Sequence, residues 1–549
     1  MRALPTPITR RPLPLALLFA MGLMLASGSQ AAAVELLPAD TPVEVAIDHY
    51  INQRLTQENI QPAPIAGDAA ILRRTTLDLV GRVPTLAELD QYLDEPTAEK
   101  RHAMVDRLIA SPGFIEHEAN VLDTFLMHPS GRSIRDYLVR SLNERKTWDV
   151  IFQDLILPDP ESEALKGAEE FLKTRIKDTD QATSDVSVLF FGVNVSCAQC
   201  HDHPHVADWS QEVYYGMKSF LDRTFDNGGQ LAERDHGLVK YQTTAGDNRE
   251  ASVRFISGTT LEMPEPGERT DEIKKAEKEY FEKFKEEKKQ SPPPENSLRR
   301  KLVETALAEG ENIYLARATV NRIWGRLLGR GLVTPLDQMH SENPASHPEL
   351  LEWLARDLVE HDFDTGRIVR GITLSEAYAR ESRRGEGESP AEELFAVGQT
   401  RVLSPFQYAS SLKLAATKPE RFAAETDSQE LEKRLEQIAS AGRGLAREFE
   451  VPTDNFQVSV DEALLMTNSA RIQGDLLAGG DKLTDELAKL ESDEQRVNHA
   501  MRVILGRSPT EEEQTVLVGY LAGRNDRTEA ACQQLVWALL TSSEFRFNH

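Results

Sequence analysis

The chain has 549 residues, 89 acidic against 63 basic, and a formal net charge of −26. A surface that acidic repels nucleic acid and anionic lipid, which excludes both as partners and favours a basic one. The length suffices for two to four domains with their own cores, and three cysteines are too few for a disulfide scaffold.

The first 33 residues read as a secretory signal peptide. Arg2, Arg10 and Arg11 form a basic start, residues 13–25 an apolar stretch too short to span a bilayer, and Ala31, Ala32 and Ala33 a small-residue cleavage point. No later segment is apolar enough for a membrane span. The mature chain is therefore expected in the periplasm or outside the cell.

The mature chain reads as mostly α. Val45, Ile47, Tyr50, Ile51 and Leu55 recur at helical spacing, as do Ile71, Leu72, Leu77, Leu79 and Val80. Thr85 and Glu88 predict a capping box. A helix from Thr97 through Met104 and Leu108 ends in the turn chemistry of Ser111-Pro112-Gly113, and 115–125 and 134–156 continue the helical pattern. After the cysteine motif the period changes: 238–242 and 252–256 alternate like the strands of one small β-hairpin. Residues 262–297 hold Pro264, Pro266, a charged run over 271–289 and Pro292-Pro293-Pro294. They read as a solvated linker whose charged part can form an exposed helix. Helices resume from Leu298 to the last residues, with a polar break at 382–390. The expected organisation is signal peptide 1–33, a first helical domain 40–261, linker 262–297 and a second helical domain 298–549.

One motif carries chemistry. Cys197-Ala198-Gln199-Cys200-His201 is C-x-x-C-H, the attachment pattern of haem c, in which two thiols bond the porphyrin and the histidine ligates iron. Composition alone predicts on the order of 0.0004 such motifs in a chain with three cysteines. His203 and His205 follow at once, so a non-haem zinc or copper site built from Cys197, Cys200 and two histidines is an alternative, and a redox-active cysteine pair is another. Met217, Met339 and His340 are candidates for a second iron ligand. Asp337, His340, Asn343 and His347 form a proline-bounded polar loop, read as a capped helix start with Ser346 as N-cap. Arg322, Arg326 and Arg330 share a helix face suited to haem propionates or, more simply, to ion pairs between domains. His102, His117 and His128 read as helix-surface or boundary residues, and Cys532 as a buried small hydrophobe.

The run Phe190-Phe191-Gly192-Val193-Asn194-Val195-Ser196 before the motif and Asp202-His203-Pro204 after it carry a family resemblance. So do Arg73-Arg74-Thr75-Thr76-Leu77-Asp78-Leu79-Val80-Gly81-Arg82, Leu108-Ile109-Ala110-Ser111-Pro112-Gly113-Phe114, Asn321-Arg322-Ile323-Trp324, Ser346-His347-Pro348-Glu349 and Ser542-Ser543-Glu544-Phe545. The chain resembles planctomycete-type secreted proteins that pair two domains of unknown function, the first cytochrome-associated. The resemblance implies an accessory or oxidative role in polymer breakdown, while the cysteine motif with export points to periplasmic electron transfer or a haem-dependent oxidoreductase. A carbohydrate-binding module without redox activity is the rival that it leaves open.

Overall fold

The helix Asp68–Val80 organises the rest. A helix on a protein surface buries one stripe, yet every residue from Ile71 to Val80 is buried here, Arg73, Arg74 and Asp78 included. Buried charges need partners, and distant segments supply them. Arg73 donates to the carbonyls of Ile504 (3.4 Å) and Phe545 (3.3 Å). Arg74 donates to the carbonyls of Tyr378 and Arg380, the latter at 2.9 Å. The Asp78 carboxylate accepts from the Tyr378 hydroxyl (2.7 Å), from both terminal nitrogens of Arg401 (2.9 and 2.6 Å) and from Asn548 Nδ2 (3.0 Å). The short sheet Arg401–Val402 with Phe547–Asn548 is held beside it.

A computed structural model describes residues 36–549 apart from 129, 264–268, 383–388 and 453–458. The expected leader, residues 1–33, and most of the polar break at 382–390 lie outside the described residues. Within them the chain is mostly α, with 25 α-helices and three antiparallel two-stranded sheets. No helix there is long and apolar enough to cross a membrane. Helices on either side of 262–297 pack on one another: Thr179–Phe191 on Asn312–Leu328, Trp148–Ile156 on Leu298–Ala306, and Pro112–Met127 on Ser428–Ala446.

Local chemistry explains most boundaries. Thr85 Oγ1 accepts from the Glu88 amide (3.1 Å) and Glu88 from the Thr85 amide (2.8 Å), the capping box read from sequence. Ser111 closes one helix and opens the next: its hydroxyl accepts from the Phe114 amide, with Pro112 in the first turn. The stretch 134–156 is two helices, Arg135–Asn143 and Trp148–Ile156, broken where Arg145 takes φ +57°.

The β content differs from the single hairpin expected. Lys240–Gln242 pairs with Asn248–Glu250, and a second hairpin joins Thr224–Asp226 to Leu231–Glu233 through Gly228 and Gly229 at positive φ. Residues 253–255 do not join Lys240–Gln242 but pair across a tight turn with 259–261, the Phe255 amide donating to the Thr259 carbonyl (2.8 Å) and the Leu261 amide to the Val253 carbonyl (2.9 Å), and the buried Phe255 packs edge-on to Phe191 (5.1 Å). The charged run does form a helix, Asp271–Glu287. It is seated on the Thr224–Glu233 hairpin by Phe281, which packs on Phe225 (4.9 Å) and whose carbonyl accepts from Asn227 Nδ2 (2.8 Å). From the same hairpin, the wholly buried Glu233 carboxylate caps helix Leu298–Ala306, accepting from Ser297 Oγ (2.7 Å), the Leu298 amide (2.6 Å) and Arg299 Nε (3.3 Å).

The buried carboxylates can be tested by substitution. Asp78→Ala leaves Arg401 without its carboxylate and is expected to destabilise the fold by about 3–5 kcal/mol in urea unfolding, against about 1 kcal/mol for Tyr378→Phe. Burial alone would raise the Glu88 carboxyl, but the Arg82 guanidinium at 2.8 Å and the Thr85 amide outweigh it and hold it down at about 2. Its stabilisation is complete above its ordinary value of 4.5 and is lost as pH falls through about 2. The stability gap between wild type and Glu88→Gln should therefore close on acidification through that window.

Candidate functional site

The motif lies between helices Thr179–Phe191 and Gln211–Leu221. The first ends at Gly192, which adopts φ +68°. A Cβ there would also stand 2.7 Å from Met339 Sδ, so both the turn and the close approach require glycine. From Gly192 the backbone pairs with a loop from far along the chain. The Met339 amide donates to the Gly192 carbonyl (3.1 Å), Val193 bridges Gln338, and the Asn194 amide donates to the Asp337 carbonyl (2.9 Å). Asn194 Nδ2 reaches the Asp337 carboxylate (3.1 Å) while its Oδ1 accepts from the Ser196 amide, capping a 3₁₀ turn over Val195–Gln199.

That turn sets the cysteines. A 3₁₀ helix has three residues per turn, so positions i and i+3 eclipse, and Cys197 and Cys200 fall on one side. Val195 and Ala198 are fully buried, whereas both cysteines and His201 are exposed. The carbonyls at the end of the turn are taken up by the next helix. Gln211 Nε2 donates to the carbonyls of Gln199 (3.4 Å) and Cys200 (3.2 Å), and the Tyr215 hydroxyl donates to that of Gln199 (3.0 Å). Tyr215 lies flat on Tyr241 at 4.1 Å. The Asp202 carboxylate accepts from the Gln211 amide (2.7 Å), locking the motif to the start of that helix.

The histidines divide by tautomer. His201 Nδ1 lies 2.8 Å from the Asp202 carbonyl. A carbonyl only accepts, so Nδ1 carries the proton and Nε2 presents a free lone pair. His203 Nδ1 instead accepts from the amides of His205 (3.3 Å) and Val206 (3.0 Å), and His340 Nδ1 accepts from the Glu342 amide (3.2 Å). When neutral, those two rings hold their proton on Nε2. Trp209 meets both His203 and His340 edge-to-face, with ring centroids 5.3 and 4.6 Å apart. The Asp208 carboxylate adds a bond from the Ser341 amide (2.9 Å). Two clusters far apart in the sequence thus share one surface, joined through Trp209, which sequence reasoning passed over although it sits beside Asp208.

The other candidates separate. Met339 packs on Gly192, and Met217 is buried within its helix. His205 is exposed, 6.3 Å from His203. Among the described residues no three of His, Cys, Asp and Glu are gathered as a metal-ion site. Asn343 donates to the Gln338 carbonyl (2.9 Å), a bond internal to its loop. His347, not Ser346, occupies the N-cap position of Pro348–Glu360, and burial lowers its imidazole to about 4. The three arginines do not converge on the motif. Arg322 lies over the Phe125 ring (3.8 Å) and donates to the Val188 carbonyl (3.2 Å), with burial lowering it to about 9. Arg326 pairs with Glu118 (2.7 Å) and Arg330 with Glu392 (3.8 Å). His117 is a buried residue rather than a surface one, 2% exposed and lowered to about 4 by burial. His102 pairs with Glu99 at the surface, His128 is exposed, and Cys532 is buried, which raises its thiol.

Gly192→Ala places a side chain at positive φ against Met339. It is expected to destabilise by about 1–2 kcal/mol and to raise hydrogen exchange in both 193–201 and 337–343. Loosening of only one of these segments would show that they are not coupled.

Residues 46–226 match the family PSCyt2, a protein of unknown function (DUF1549), and residues 299–455 match the family PSD1, a protein of unknown function (DUF1553). No curated protein and no solved structure matches the chain.

Proposed function

We propose that this tandem of two families of unknown function is an exported c-type haem protein, with Cys197, Cys200 and His201 as the attachment site. The observation that carries the reading is the pairing of two outward thiols on one face of a 3₁₀ turn with a histidine whose Nδ1 donates to the Asp202 carbonyl. The donor set fits the group. The thiols can form the two thioether bonds, and His201 Nε2 is the free nitrogen for iron. The hydrogen bond to Asp202 fixes the ring's tautomer and raises its basicity. A haem bound there supplies a reversible one-electron couple.

The chain's own residues hold the frame. Gln211, Tyr215 and Asp202 fix the turn against helix Gln211–Leu221, and the 337–343 loop fixes its approach. Met339 and His340 lie on that loop. A methionine as second ligand would raise the potential and a histidine would lower it. The basic leader supports work in the periplasm or outside the cell, where haem c is attached. Periplasmic electron transfer, or haem-dependent oxidation accessory to polysaccharide breakdown, is the activity proposed.

A pyridine haemochrome spectrum on protein made alongside cytochrome maturation machinery tests this. A c-type α-band at unit stoichiometry is expected, lost in the Cys197→Ser/Cys200→Ser double variant. A colourless protein with both thiols intact by mass spectrometry would overturn it. Stoichiometric zinc or copper in that colourless protein would transfer the site to a non-haem metal held by the same cysteines and neighbouring histidines.

A further inference from the structure

Helix Asn312–Leu328 belongs to the second matched segment, and one of its faces meets both stretches of backbone that build the cysteine site. Ala318, Asn321 and Arg322 stand at i, i+3 and i+4 and share that face. Ala318 lies under the turn, where a Cβ at Gly192 would stand 3.3 Å from its own. Arg322 holds the end of helix Thr179–Phe191. Its Nη2 donates to the Val188 carbonyl (3.2 Å), the same oxygen that takes the Gly192 amide (3.2 Å). No carboxylate among the described residues pairs with Arg322; its charge is set against the Phe125 ring (3.8 Å) and the carbonyl end of that helix.

Asn321 holds the other stretch. Its side chain is fully buried and makes both of its bonds to one residue: Nδ2 donates to the Val333 carbonyl (2.9 Å) and Oδ1 accepts from the Val333 amide (2.8 Å). A buried amide left without either bond is costly. The approach is so close that a Cβ at Gly331 would stand 2.4 Å from the Val333 oxygen and 2.9 Å from Asn321 Oδ1. The Ser346 amide donates to the Leu332 carbonyl (2.8 Å), so the loop between them is closed at its base, and that base is pinned to the helix. The same loop carries Asp337, Gln338 and Met339, which pair with Gly192, Val193 and Asn194. Two adjacent residues of the Asn321-Arg322-Ile323-Trp324 run thus grip the two segments that meet at the cysteine turn.

We infer that Asn321 and Arg322 are positioning residues of the cysteine site, through which the second matched segment sets the turn carrying Cys197, Cys200 and His201 against loop 337–343. The inference rests on that turn being the functional site, but its test needs no haem. Hydrogen exchange is followed on the full chain with its thiols reduced. Asn321→Ala removes both bonds to Val333 and is expected to speed exchange about tenfold in 337–343 and in 193–201 alike. Arg322→Met keeps the length of the side chain without its donors and should speed exchange in both segments about threefold, the equivalent of one hydrogen bond. Arg322→Lys, which still reaches the Val188 carbonyl, should restore most of that loss. Alkylation of Cys532, buried among the C-terminal helices, reports opening of the whole chain and should keep its wild-type rate. Faster exchange confined to the segment that each residue touches overturns the joint placement. A Cys532 rate that rises with the site overturns a positioning role, because both then report loss of the fold. Arg322→Lys no better than Arg322→Met overturns the part given to the Val188 bond. A colourless protein in the haemochrome test that still shows the expected exchange pattern would remove the haem and leave the positioning intact.

Discussion

A carboxylate removed from water must find donors within the fold, and Asp78 finds four hydrogen bonds from three segments at least 300 residues away. Its helix can be buried on all sides only because Tyr378, Arg401 and Asn548 come to it, and Arg73 and Arg74 recruit further carbonyls and a hydroxyl in the same way. Charge satisfaction here is a device of assembly. It selects one arrangement of apolar helices that could slide past one another on hydrophobic contact alone. Glu233 repeats the device on a smaller scale by capping a helix that begins 65 residues later.

With that frame fixed, the cysteine turn inherits its geometry. Its buried side, Val195 and Ala198, sits against helices held by the frame, so its outer side has no freedom but to present Cys197 and Cys200 together. The loop carrying Met339 and His340 arrives by backbone pairing at Gly192 to Asn194, reinforced by the Asn194–Asp337 and Asp208–Ser341 bonds. The site is therefore composite: one segment gives the cysteine pattern and a second, distant one gives its surroundings.

Local signals were legible in the sequence and remote ones were not. The Thr85–Glu88 box, the helical spacing around Ile47 and Leu55, and the cysteine spacing all act within one or two turns and can be read in order. The arginines at 322, 326 and 330 show why periodicity misleads. Their four-residue spacing is right for a helix, but only Arg322 and Arg326 lie on Asn312–Leu328, Arg330 falls beyond its Gly329 cap, and each faces a different neighbour, one aromatic and two acidic. Three-residue strands such as Thr224–Asp226 are too short to establish an alternation, and the alternation around Phe255 does not say that its partner is 259–261 rather than 238–242. His117 lies in a helix read only in part, and its burial depends on Phe406, which no local pattern announces. The meeting of Trp209 with His340 belongs to the same class.

The bond between Asp78 and Asn548 spans 470 positions. Synthesis delivers a chain in order, at about 5–20 residues per second. Until Tyr378 and Arg401 are made the helix Asp68–Val80 carries buried-type charges with no partner, and the set is complete only with Asn548. It cannot complete its fold on its own, and contacts this remote in sequence close slowly. The same wiring that specifies one native arrangement thus sets a waiting time, during which the early part of the chain is exposed to proteases and aggregation and most depends on chaperones that hold rather than fold.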